Sequence, residues 1–264
     1  MSRLAWATRS RRTARGSDTE RTIARIRRLT LDRLTDAPRA GQLLRPLAWY
    51  GADAIPRTLP GALDVPAPDL QQALNSLAAY NMISLYETGI TVHRLVQAVA
   101  RTPDATDPHR QRGDIDTCRK QATTLLNRTL PDWPVHPDDW PAWRTFLPHV
   151  AALTEHAPSA TDPQDTARLL NETGLFLGTQ GAIISAIDYL QRATNAYQRA
   201  LGDSHPATLA CRNNLAGAYR AAEDLRRAIP LHETTLADQA RILGDAHPIT
   251  LIPQQPRHRL PEGI

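Results

Sequence analysis

Several residue types that mark particular protein classes are scarce in this chain of 264 residues. It has one lysine, Lys120, two cysteines, Cys118 and Cys211, and two phenylalanines, and aromatic residues make up 5% of it. The cysteines lie far apart and outside any CxxC spacing, so they predict buried free thiols in a reducing compartment. No apolar run reaches the ~18 residues that a spanning helix needs, and no hydrophobic leader opens the chain. We therefore expect no membrane partner and a cytoplasmic location.

Because lysine is almost absent, arginine supplies the positive charge. The 31 basic residues against 27 acidic ones give a net charge of +4 and a pI near 9.4. Ten arginines fall within residues 1–33, against three acids. We expect residues 1–19 to be a disordered basic tail and an amphipathic helix with an arginine-rich face to begin at residue 20. A basic segment of this kind can bind DNA through its phosphates, so a DNA-associated regulator is the alternative function.

Groupings that support catalysis or metal binding are also missing. The sequence contains no GxxxxGK followed by Ser or Thr, so it lacks the loop that cradles nucleotide phosphates. His136, His149 and His156 have no i, i+4 spacing and no acidic or thiolate partner at ligand spacing. No nucleophile–base or carboxylate pair has a supporting context either. We predict that the chain is not an enzyme and holds no cofactor and no metal.

The second half of the chain is organised around a repeated segment. LGDSHPATL at residues 201–209 recurs 42 residues later as LGDAHPITL, with seven of nine positions identical. A period of about 40 residues is that of a helix-turn-helix unit in an α-solenoid. We expect helix pairs over 166–179 with 182–200, and over 207–222 with 225–243, then the start of a third unit up to residue 251. Prolines then forbid a further helix, which predicts a disordered tail over 252–264.

The first half has a different pattern. Predicted helices run through 43–50, around 56–63 and over 69–80, where Asp69 is placed to cap the third. Two strands follow, 82–86 and 90–93, joined by Glu-Thr-Gly, in which glycine can take a positive φ. Helix, helix, helix, hairpin is the order of a winged helix, which we assign to residues 20–101 with the helix that precedes it. The third helix contains no Lys or Arg, so we do not expect nucleic acid to be a partner.

This region resembles a known family. LLRPLAWYGADAIPRTL, LAAYNMISL and ITVHRLVQAVAR look like the winged-helix part of STAND-class signalling ATPases, including bacterial NB-ARC regulators. Val-His-Arg-Leu-Val at residues 92–96 matches that family's Met-His-Asp-Leu-Val motif, with Arg94 at the place of its acid. The resemblance implies that His93 senses the phosphate of a bound ADP. Because the phosphate loop is missing, it also implies that a nucleotide-binding domain would be a separate partner.

Between the two halves we predict a linker and a helical spacer. Residues 102–113 are polar and contain two prolines, which predicts the linker. Residues 114–156 form the spacer, and one side of its first helix is apolar: Ile115, Cys118, Ala122, Leu125 and Leu126. Its tryptophans, Trp133, Trp140 and Trp143, could stack on nucleotides or sugars, but their setting among apolar residues at helical spacing favours core packing.

The repeats resemble tetratricopeptide repeats of the kinesin-light-chain type. The likeness rests on RNNLAGAYRAAEDLRRAIPLHE, on the 42-residue period and on the LGD-x-HP-x-TL connection. In that family the first helix of each pair lines a concave face that binds peptides. The resemblance therefore implies a peptide-binding face at five positions: Asn171, Glu172, Asn213, Asn214 and Arg220. Asparagine suits this role because its amide can pair with a peptide backbone as both donor and acceptor.

Together these patterns predict a mainly α fold. A small winged-helix module with one β-hairpin precedes a helical spacer and a short α-solenoid. The predicted function is a non-catalytic protein-protein interaction module, a remnant of a STAND regulator that binds a peptide or protein partner through its repeat helices.

Overall fold

The computed structural model describes residues 37–243, except residues 109 and 158. The predicted basic tail, most of the helix expected from residue 20, the start of the third repeat and the proline-rich tail lie outside these residues. The described chain is mainly helical and contains one two-stranded sheet, which confirms the predicted fold class. Its contacts divide it into two compact units, residues 37–130 with 144–157, and residues 131–143 with 159–243.

The first unit contains five complete helices, a hairpin and most of a sixth helix. The helices are α1 Pro38–Leu47, α2 Thr58–Gly61, α3 Ala67–Ala79, α4 Arg94–Arg101 and α5 Arg112–Thr129, and the strands are β1 Ile83–Leu85 and β2 Ile90–Val92. Helix α6, Trp140–His156, begins in the second unit and ends in the first. The predicted linker, residues 102–113, lies within the first unit, where Arg110 pairs with the buried Asp107 at 2.8 Å and with Asp104 at 2.6 Å.

The hairpin turns more tightly than its sequence predicts. Ile83 pairs with Val92 and Leu85 with Ile90, and the Tyr86 N–H donates to the Gly89 carbonyl at 2.9 Å. Only two residues therefore make the turn. Gly89 does not take the positive φ that we expected. A glycine is needed at residue 89 for a different reason: a Cβ on it would lie 3.0 Å from the Ile55 carbonyl oxygen. The Ile55 backbone comes this close because it forms a β-bridge with Ile90.

The predicted cap of the third helix is also wrong. Helix α3 begins at Ala67, two residues earlier than expected, and Pro66 at its N-cap makes no side-chain hydrogen bond. Pro68 lies in the first turn, where proline is tolerated because the N–H that it lacks would have no helical partner. Asp69 consequently lies inside the first turn and pairs with Arg39 of α1. Its carboxylate still faces the positive end of the helix dipole.

The spacer helices bury the faces that their periodicity predicts. All five apolar positions predicted on α5 are buried, and burial raises the pKa of the Cys118 thiol. On α6, Trp143 is buried and its ring stacks on Phe176 with centroids 5.7 Å apart. Core packing is wrong for Trp133, which is 69% exposed because it lies in the loop before α6.

The second unit contains the two predicted helix pairs, α7 Gln164–Thr179 with α8 Ile183–Leu201, and α9 Pro206–Ala221 with α10 Leu225–Leu243. Small residues let each pair approach closely. A Cβ on Gly174 would lie 2.6 Å from Leu190 Cγ, and Ala216 stands at the same place in the second pair. Each pair turns through a left-handed residue, Gly181 with φ 78° in the first and Glu223 with φ 60° in the second.

The repeated LGD-x-HP-x-TL segment forms the connection between the pairs. Gly202 takes a φ of 86°, which ends α8. His205 is the N-cap of α9, and its Nδ1 accepts from the Ala207 N–H at 3.1 Å while Pro206 occupies the first turn. The buried Thr208 hydroxyl donates back to the Gly202 carbonyl at 2.8 Å. Four of the seven shared positions of the repeat, Gly202, His205, Pro206 and Thr208, therefore help to end one helix or begin the next.

Candidate functional site

The five predicted peptide-contact residues lie on the first helix of each pair. Asn171 and Glu172 are on α7, and Asn213, Asn214 and Arg220 are on α9. The two α7 residues and both α9 asparagines are half-buried, whereas Arg220 is exposed. A half-buried polar side chain packs against its neighbours and keeps part of its surface accessible to solvent.

Three of the five residues form a chain of hydrogen bonds that crosses from one repeat to the next. The Asn214 amide donates to Asn171 Oδ1 at 3.0 Å, and the Asn171 amide donates to Glu172 Oε1 at 3.2 Å. Asn213 and Arg220 lie outside this chain of hydrogen bonds. Asn171 and Asn213 occupy equivalent positions in the two repeats, but the hydrogen bond to Asn171 comes from Asn214 and not from Asn213. We call Asn171, Glu172 and Asn214 the polar ridge.

Glu172 is the acidic residue of the polar ridge, and its environment disfavours the charged form of its carboxyl group. Burial raises the pKa of the Glu172 carboxyl, while the hydrogen bond from Asn171 and the charge of Arg168 oppose the rise. Each asparagine amide has two donor hydrogens and an acceptor oxygen with two lone pairs, so the bonds within the ridge use only part of its capacity. The remaining groups can pair with the N–H and C=O groups of an extended peptide.

Sequence reasoning missed two charged residues beside the ridge. Arg168 of α7 pairs with Asp132 at 2.9 Å, and both side chains are more than half exposed. Arg168 precedes Asn171 by three residues and Glu172 by four, so helical periodicity could have placed it on the same face. Asp132 comes from the loop before α6, and no repeat or motif in the sequence links that loop to α7.

His93 lies in the first unit, at the end of β2. It is exposed and occupies the N-cap of α4, where its side chain makes no capping hydrogen bond. Its backbone N–H donates to the Met82 carbonyl at 3.1 Å, and its carbonyl accepts from the Gln97 N–H at 3.0 Å. The backbone is therefore fixed while the imidazole faces outward. The neighbouring Arg94 lies 3.8 Å from Asp53, and both side chains are exposed.

The first unit also contains a cavity of about 560 Å³ between α1, α3 and α5. Arg39, Arg45, Asp64 and Asp114 bring charges of both signs to its wall, and Cys118 contributes a thiol. No sequence pattern predicts it, because its lining comes from three separate helices and a loop. Among the described residues, no three histidine, cysteine or acidic side chains lie close enough together to hold a metal ion. Within the same part of the chain, no helix is long and apolar enough to cross a bilayer.

Comparisons with known proteins agree with the repeat prediction. Residues 165–241 match the family model described as tetratricopeptide repeat, which confirms that part of the prediction. Over 79 residues the chain is 37% identical to Protein KINESIN LIGHT CHAIN-RELATED 2 of Arabidopsis thaliana, a match that covers 30% of this chain and 12% of the relative. The chain thus spans about an eighth of that relative's length. Neither the family match nor this relative supports the predicted NB-ARC and winged-helix assignment of the first unit.

Two crystal structures of nearly identical TPR-like repeats, attributed to a kinesin light chain of Podosopora anserina, are also similar. Each is 19% identical, with a TM-score of 0.29, over 66% of this chain and 85% of the other. At that score the likeness supports no inference about how the helices are arranged.

Proposed function

We propose that this chain is a non-catalytic binding module that holds an extended peptide segment of a partner protein along α7 and α9. The observation that carries the proposal is the polar ridge, in which the 3.0 Å bond from Asn214 to Asn171 joins the two repeats. Tetratricopeptide repeats are suited to protein-protein interaction, and the ridge lies on the helices that line the binding face in that family. The bond between repeats fixes the spacing of the groups that would meet the peptide.

The composition of the ridge indicates how such a peptide would be recognised. Two neutral amides can read the backbone whatever its sequence, while Glu172 and Arg168 add one charge of each sign nearby. Two repeats present a short face, so the number of contacts is small. We expect affinity to depend on a few ridge residues, as it does at protein interfaces in general.

A peptide selection tests this proposal. A phage-displayed library of random peptides is panned on the immobilised full chain, and recovered peptides are measured by fluorescence polarisation. Asn171→Ala and Asn214→Ala should each weaken binding by about 5- to 30-fold, because a lost hydrogen bond with an unpaired partner costs ~1–2 kcal/mol. The matched control is Asn195→Ala, an exposed asparagine on α8, which should leave binding unchanged. Equal losses in all three variants would contradict a site on the ridge.

We also propose that the first unit derives from the winged helix of a STAND-class regulator and docks on a nucleotide-binding domain supplied separately. The order helix, extended bridge at Ile55, helix, helix and hairpin supports this origin. His93 is exposed at the end of β2, where an imidazole can reach a phosphate of a bound partner. The DNA-binding alternative is less well supported, because α3 carries no basic side chain.

A further inference from the structure

The second helix of each repeat can be compared residue by residue, because α8 and α10 lie 42 positions apart. One stripe of α8, at spacings of four, three and four, faces α9: Ile183, Ile187, Leu190 and Thr194. Ile187 and Leu190 share a core cluster with Leu215 and Tyr219 of α9. Thr194 Oγ1 lies 3.3 Å from Cys211 Sγ, also on α9. The stripe on α8 is therefore the surface that receives the next helix.

The same stripe on α10 is open. Its members are Leu225, Ile229, His232 and Leu236, which we call the open stripe. Ile229 is 51% exposed and Leu236 39%, whereas their α8 equivalents Ile187 and Thr194 are both 6% exposed. Leu225 is 54% exposed and His232 is half-buried. Within the described residues, no helix covers this surface as α9 covers α8.

The charges beside the open stripe indicate what would cover it. Spacings of four, three and four are those of the a and d positions of a heptad, where two helices pack along a seam. Arg226 and Glu233 follow the first and third stripe residues, so they lie seven residues apart on one edge, and both are exposed. When two identical helices pair antiparallel, each edge meets the same edge of the other copy in reverse order. Arg226 of each copy then approaches Glu233 of the other.

We propose that the open stripe is an interface with a second copy of this chain, formed by antiparallel packing of the two α10 helices around a two-fold axis. Such an interface is self-complementary, with Leu225 of each copy beside Leu236 of the other and Ile229 beside His232. The stripe spans 11 helical steps, which is about 16 Å. The buried area is therefore small, and the dimer should form in the micromolar range or above.

Sedimentation equilibrium of the full chain tests the interface, at protein concentrations from about 1 to about 300 µM. The wild-type chain should pass from monomer to dimer within this range. Ile229→Glu should keep it monomeric, because two acids would be buried against apolar side chains. The matched control, Ile184→Glu, changes a side chain that is 70% exposed on α8 but lies off the stripe, and it should still dimerise. Circular dichroism should show the same helix content in all three proteins.

Charge reversal separates this dimer from other causes of association. Arg226→Glu should weaken the dimer about 10-fold, because acids then face each other along the edge. Adding Glu233→Arg to that variant should restore the wild-type constant, because the pair is then exchanged. A wild-type chain that stays monomeric throughout would overturn the proposal, as would a double variant without rescue or an Ile184→Glu variant that fails to dimerise.

Discussion

Replacing Glu223 by glycine should stabilise the second unit. Glu223 holds a φ of 60°, and its repeat equivalent, Gly181, holds 78°. The Glu223 N–H donates to the Arg220 carbonyl at 3.0 Å, and its own carbonyl accepts from the Leu225 N–H at 3.0 Å. These backbone bonds make the turn. The turn therefore needs the left-handed conformation at residue 223, but it does not need a side chain there.

The magnitude follows from two opposing effects. A side chain in the left-handed region costs ~1–2 kcal/mol, and glycine removes that cost. Glycine also gives the unfolded chain more conformational freedom, which stabilises the unfolded state by ~0.5–1 kcal/mol. We expect a net gain of ~0.5–1 kcal/mol, which for a unit of this size raises the Tm by about 2–8 °C. The reverse change, Gly181→Glu, should lower stability by a similar amount.

Hydrogen exchange measured by mass spectrometry can assign the effect to one unit. In Glu223→Gly, the peptides of α9 and α10 should exchange more slowly, while those of α1 and α5 serve as an internal reference. Glu223→Ala is the matched control, because alanine keeps the left-handed cost and should change protection little. A loss of protection in Glu223→Gly, or an equal gain in the alanine variant, would refute the reasoning from backbone conformation.

Two further outcomes concern the first unit. Burial lowers the pKa of His149. The unfolded chain therefore takes up a proton near pH 6.5 that the folded chain resists. The free energy of unfolding should fall as pH drops through about 6.5 and should level off below the pKa of His149 in the folded chain. Urea unfolding should show a weaker pH dependence for His149→Gln than for the wild-type chain. Isothermal titration of the chain alone with ADP should give no binding heat, because the sequence has no phosphate loop. Binding of ADP with micromolar affinity would contradict the proposal that the nucleotide-binding domain is a separate partner.

The helix pairs of the second unit were predictable because local and repeat signals agree. Periodicity, glycine and proline positions and the 42-residue offset place α7 to α10 within about two residues of their observed bounds. Small residues at Gly174 and Ala216 also mark where the helices of each pair approach. These features depend on short stretches of chain and on equivalent positions in the two repeats.

The contacts that define the candidate site depend on geometry that the sequence does not express. Equivalent positions suggest that Asn171 and Asn213 act alike, but the approach of α9 to α7 brings Asn214 to Asn171 instead. Asp132 reaches Arg168 from a loop 36 residues away in sequence. Gly89 was expected to serve a turn, but its role depends on Ile55, which lies before α2. Each case involves residues that only the packing of distant elements brings together.

The repeat register also provides a template for extending the array by design. A helix copied from α9 and joined to α10 through the LGD connection would meet the open stripe as α9 meets α8. Cys211 lies against Thr194 in the native pair but would face the larger Leu236, so the copy needs a smaller side chain there. Leu215, which shares a cluster with Leu190, would face His232, so a hydrogen-bonding side chain suits that place. A chain extended in this way would cover its own stripe and compete with a second copy for it.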